Sequence, residues 1–157
     1  MVEVLEPYNI ALIRMQEDIP FILQRIFTEK SEIIVNLLFE QQLSVGLDGD
    51  GREIGRYSRY TELIARYELP RPIKPKEAGE LYNFEWTGDW KSKMKAIFSN
   101  EREYEILSSD GKHKELIVKY GDEIVKPSVD LNAFINKNIL KPGLYQEFVN
   151  RLNNATK

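Results

Sequence analysis

FILQRIFTEKSEIIVNLLFEQQLSVG, Phe21 to Gly46, decides the fold class. Within it Leu23, Phe27, Ile34, Leu38 and Val45 follow one another at spacings of four, seven, four and seven, and Ile26, Ile33 and Leu37 widen the same stripe. That is the period of an amphipathic helix. The spacing predicts a helix from the high teens to about Val45, with Asp18 as N-cap, Pro20 in its first turn and Gly46 as its stop. A separate helix is expected over Asn9 to Glu17. The apolar face is broader than one small partner element needs, so part of it is expected to meet another subunit.

Downstream, LDGDGREIG (Leu47–Gly55) alternates glycine and aspartate so closely that it fits only turns or a tight hairpin. In GRYSRYTELIARY (Gly55–Tyr67) the pair Arg-Tyr occurs three times, the composition of a nucleic-acid surface. The spacing argues otherwise. A helix from about Arg59 places Tyr60, Leu63, Ile64 and Tyr67 on one apolar stripe, with the tyrosines expected inward and Arg59, Glu62 and Arg66 on a solvated flank. Residues 68–80, ELPRPIKPKEAGE, hold three of the seven prolines, Pro70, Pro72 and Pro75. They predict an extended, stiff arm able to lie on a neighbouring subunit.

From Thr87 the period changes to two. Met94, Ala96 and Phe98 alternate with Lys91, Lys93 and Lys95, and Tyr104 and Ile106 repeat the pattern, so two antiparallel strands joined through Ser99-Asn100 are expected. KHKELIVKYG (Lys112–Gly121) reads as a short helix with Leu116, Ile117 and Tyr120 inward and Gly121 as cap. Residues 125–157 read as a C-terminal helical extension. In it Ser128 or Asp130 opens one helix through about Asn136, and Pro142 starts a last one ending near Asn153. The fold class is α+β: a long N-terminal helix, a small antiparallel sheet, short C-terminal helices and a proline-rich arm in one domain, residues 1–157.

Composition narrows the function. A chain of 157 residues, 42% hydrophobic, supports one core. A net charge of -3 argues against a protein mainly devoted to wrapping nucleic acid. The absence of cysteine rules out disulfides, thiolate metal sites and cysteine nucleophiles. The acidic start lacks the pattern of a signal peptide, and no run is apolar enough to span a bilayer, so a soluble, non-secreted chain is expected.

The candidate chemistry is thin. A calcium loop starting at Asp48 would need glycine where Glu53 stands and an acid where Arg59 stands. Starting at Gly46 places Tyr57 at the last position, so a turn is the better reading. Gly49-Asp50-Gly51 lacks the lysine of a phosphate loop and would repel phosphate. His113, the single histidine, sits between two lysines and reads as an exposed helix-start residue. Asp89 and Lys91 resemble the later half of a metal-dependent nuclease motif without an upstream acid. Lys91, Lys93 and Lys95 read as an edge strand protected by lysines, or as a stripe facing DNA phosphates. Neither a cofactor nor a metal is expected.

QQLSVGLDGDGREIGRYSRYTE, with Gln42-Leu43, Gly46, Asp48, Gly51, Ile54, Tyr57-Ser58 and Thr61, resembles a stretch in small structural proteins of tailed bacteriophages. Thr87-Gly88-Asp89-Trp90 resembles their Thr-Gly-acid-aromatic signature. Ser109-Asp110, Lys112, Leu116 and Lys119-Tyr120-Gly121 continue the likeness. The resemblance covers roughly Glu40 to Ile124 and points to neck, head-tail joining or tail-completion proteins, most like versions in crAss-like phages. It implies a non-enzymatic virion subunit, made in the host cytoplasm, that forms a ring on the order of six or twelve copies around the DNA channel beside the portal. The long helix (Leu23, Phe27, Ile34, Leu38) and the arm (Pro70, Pro72, Pro75) would be its two joining patches. The alternatives are a small metal-dependent nuclease and a nucleic-acid-binding regulatory module that uses Arg56, Arg59 and Arg66.

Overall fold

The structure is a computed structural model that describes residues 6–99 and 103–155. Its spine is α1, Glu6–Gln41, a single helix of 36 residues. The expected break before Pro20 is not there, and Asp18 caps nothing. Pro20 sits inside the helix, where it lacks an N–H and crowds the carbonyl of Gln16. Cross-links on both sides of the proline offset that loss. Arg151 reaches Asp18 at 2.7 Å and Glu147 at 3.0 Å, while Arg25 reaches Glu147 at 2.7 Å. Arg151 and then Arg25 hold the Glu147 carboxyl below the usual glutamate range. These pairs tie α1 to the last helix, whose Gly143 lies so close that a Cβ there would come within 2.9 Å of Ile26.

After α1 a 3-10 turn, Leu43–Val45, ends at Gly46, whose φ of 76° suits a residue without a side chain. A Cβ at Gly46 would press on Leu81 at 2.6 Å. Residues 47–87 then form a lobe at this end of α1. It is stitched by the bridges Leu47–Glu53 and Arg56–Leu81 and carries one helix, α2, Arg59–Tyr67. Ser58 caps α2 by accepting from Thr61 N–H. A short helix α3, Asp89–Ser92, leads into strands β1, Met94–Phe98, and β2, Tyr104–Ser108, antiparallel with Ala96 opposite Ile106. Asn100, half of the expected joint between the strands, lies outside the described residues; Ser99 N–H donates to Glu103 O.

Met94, Ala96 and Ile106 face α1 and are buried, and Phe27 of α1 stacks between Phe98 and Tyr104. The outer edge of β1 lies against α1, where Ser31 Oγ accepts the Ala96 N–H at 2.8 Å. Helix α4, His113–Tyr120, ends at Gly121 as expected, with Leu116, Ile117 and Tyr120 on the core side. Ser128 caps α5, Val129–Ile135. The chain does not stop there. A π turn, Asn136–Leu140, carries it into α6, Lys141–Ala155. The wide turn precedes Pro142, whose ring would otherwise press on the Asn138 carbonyl. Pro142 is the second residue of α6, close to the expected start, and the π turn joins α6 to α5 without a break.

Candidate functional site

The motif residues of the sequence frame the lobe. Asp48 accepts the N–H groups of Asp50 and Arg52 on one carboxylate oxygen, at 2.9 and 2.8 Å, and Gly51 supplies the positive φ that closes the turn. Gly49 N–H donates to Glu123 O, and a Cβ there would meet Lys126 O at 2.5 Å. Gln42, buried, grips the same segment: its amide donates to Lys126 O and accepts Ser128 N–H. The Gly-Asp alternation thus docks a turn against residues 123–128.

Tyr57 forms the hub of the lobe with Asn83 and Lys76. Asn83 Oδ1 accepts from the Tyr57 hydroxyl at 3.1 Å, from Glu85 N–H and from the Lys76 ammonium, which also lies 5.2 Å over the Tyr57 ring. Lys76 is buried, and desolvation lowers its pKa to about 8 against the opposing pull of Glu85. This buried lysine is not legible in the sequence, where nothing sets it apart from the other charged residues of 68–80. The arm itself is not extended. Trp86 Nε1 donates to Pro70 O, Ile73 N–H to Trp86 O, and Lys74 pairs with Glu85, so residues 68–80 fold back onto 83–86. Pro70 and Pro75 are exposed on that closed loop and Pro72 is half-buried.

Thr87, Gly88, Asp89 and Trp90 start α3. The Thr87 hydroxyl donates to Asp89 at 2.7 Å, Gly88 takes a φ of 82°, and Trp90 is buried against Phe39 and Phe84. Trp90 Nε1 donates to His113 Nδ1 at 3.2 Å, so His113 does start a helix but is half-buried, not exposed. The lysine stripe dissolves. Lys91 belongs to α3 and lies 5.0 Å over the Phe39 ring, Lys93 pairs with Asp110 at 2.8 Å, and Lys95 alone stands on the open face of β1. Among the described residues no three histidine, aspartate or glutamate side chains gather as a metal site. No described helix is long and apolar enough to cross a membrane.

The helix residues expected to join subunits are in the core instead. Phe27 is 1% exposed and Ile34 and Leu38 are fully buried, because β1, α5, the π turn and α6 pack on α1. Leu23 is half-buried in a groove of about 1140 Å³ with Tyr104, Leu140 and Leu144. Of the residues that widen the stripe Ile33 is half exposed, and further exposed apolar residues lie elsewhere. On α1 before Ile22, Ile10, Ile13 and Phe21 share one open face, with Ile13 58% and Phe21 71% exposed. On α2 most of the stripe expected to point inward points out, with Tyr60 71% and Tyr67 74% exposed and Leu63 between them, while Ile64 is half-buried. The inner side of α2 is Ala65, with Glu62 accepting Ala78 N–H and Arg66. Comparison with protein-family models, with curated proteins and with solved structures returns no match for this chain.

Proposed function

We propose that this chain is a structural subunit of a tailed-phage neck, a head-tail connector or tail-completion component that assembles with copies of itself into a ring beside the portal. The observation that carries the reading is the pair of apolar faces, one on the first part of α1 and one on α2, each open to solvent. Exposed aromatic and aliphatic faces of this kind mark association surfaces. The residues that suggested chemistry support the same reading by what they do. Asp48 is spent on a turn, Asp89 on the Thr87 hydroxyl and His113 on the Trp90 indole, each fixing backbone or core. The motifs that resemble phage neck proteins likewise hold the lobe in place. In this reading the chain transforms no substrate and takes no cofactor, and the finished ring is part of the virion.

Negative-stain imaging of the purified chain, alone and mixed with portal assemblies, tests the proposal. Annular particles are the expected result. Particles that stay single in both samples contradict it, as does divalent-dependent cutting of DNA that is lost in Asp89→Ala.

A further inference from the structure

We infer that copies of this chain join head to tail, the first part of α1 of one copy packing on the α2 face of the next. The inference rests on the structural-subunit reading and adds the two surfaces that make the joint. Its first support is length. The 36 residues of α1 span about 54 Å at the helical rise. A compact chain of this size is only about 40 Å across. The start of α1 therefore overhangs the core, and α6 lines one side of it through Arg151 and Asn154. On the overhang Ile10, Ile13, Glu17 and Phe21 follow at three, four and four residues, which places them on one exposed face.

The second support is position. The lobe bearing α2 is attached where α1 ends, at Gly46, so the two apolar faces sit at opposite ends of the spine. A two-fold dimer built on either face alone would leave the other bare. A head-to-tail joint covers both and, where the rotation between copies completes a circle, closes a ring. Charge supplies the third support. Glu17 lies in the overhang stripe and Arg59 flanks the α2 stripe, and neither has an ion-pair partner among the described residues. Aliphatic residues favour protein over nucleic acid as the occupant of α2: Leu63 in the stripe and Leu69 just after it are both exposed and offer nothing to a phosphate.

Sedimentation velocity at rising concentration, with two variants, decides the matter. Ile13→Glu/Phe21→Glu spoils the overhang, and Tyr60→Glu/Tyr67→Glu spoils α2. All four sites are exposed, so circular dichroism and thermal unfolding are expected to match the wild type. The wild type forms multimers. Each variant alone stays single, and their equal mixture forms pairs and nothing larger, since one good overhang meets one good α2 face. Glu17→Arg or Arg59→Glu weakens assembly several-fold, and the two together restore it. Multimers unaffected by either variant overturn the joint while leaving the structural-subunit reading standing. Loss of assembly in the overhang variant only means two-fold pairing and overturns the joint as well. A wild type that stays single even with portal present removes both. The joint also fails if the α2 variant assembles normally but loses salt-sensitive retention on single-stranded oligonucleotide.

Discussion

Phe27 and Tyr67 show what a single residue can and cannot reveal. Both fall on helical stripes, yet Phe27 is stacked between Phe98 and Tyr104 while Tyr67 is 74% exposed. Periodicity identifies a face and says nothing about what lies opposite it. For α2 the small Ala65 and the bonded Glu62 turn inward, and the tyrosines are left outside. Phe27→Ala is expected to cost about 3–5 kcal/mol in denaturant unfolding. Tyr67→Ala is expected to stay within about 0.5 kcal/mol of the wild type. The reverse order would return Phe27 to the surface.

Lys76 gives a second expectation at this scale. Its folded pKa of about 8 lies below the ordinary 10.5, so between those values the unfolded chain holds more protons and stability rises with pH. The groups facing it are Tyr57, Asn83, Glu85 and Lys74. Lys76→Met is expected to flatten that alkaline rise and to be at least as stable as the wild type at pH 7, measured by urea unfolding across the range. A steeper rise in the variant would contradict the assignment.

At the scale of elements the sequence was legible wherever a cap or an alternation spoke. Gly121 and Ser128 mark ends of α4 and α5, and the alternation from Met94 to Phe98 gives β1. The structure differs at Pro20 and at Lys91. Pro20 reads as a helix start, but the Asp18–Arg151–Glu147–Arg25 network ties the helix across it, whereas Pro142 does stand in the first turn of α6, which the π turn joins to α5. The strand begins later than Lys91 because Gly88 and the Thr87–Asp89 hydrogen bond lead residues 89–92 into a helical turn first. If Pro20 lies inside α1, Pro20→Ala regains a hydrogen bond to Gln16 O and stabilises the chain by about 1–3 kcal/mol in thermal unfolding. A neutral or destabilising effect would place a helix start there after all.

Over the whole molecule, one long helix explains the arrangement. Its middle is wrapped into the core, its end carries the lobe, and its beginning projects with α6 along one side. The α+β class could be read from periods alone. The exposed apolar faces could not, because most of the widest stripe became core and the open faces were left by the length of α1 and the turning of α2. The absence of cysteine makes a direct test clean. In a chain carrying both Ile13→Cys and Tyr67→Cys, mild oxidation followed by non-reducing electrophoresis reports which surfaces meet. Head-to-tail joining predicts a ladder of dimers, trimers and higher species from this chain, and no bands above monomer from either single-cysteine chain. Monomer alone from the doubly substituted chain at high concentration, or dimer from Ile13→Cys by itself, would contradict it.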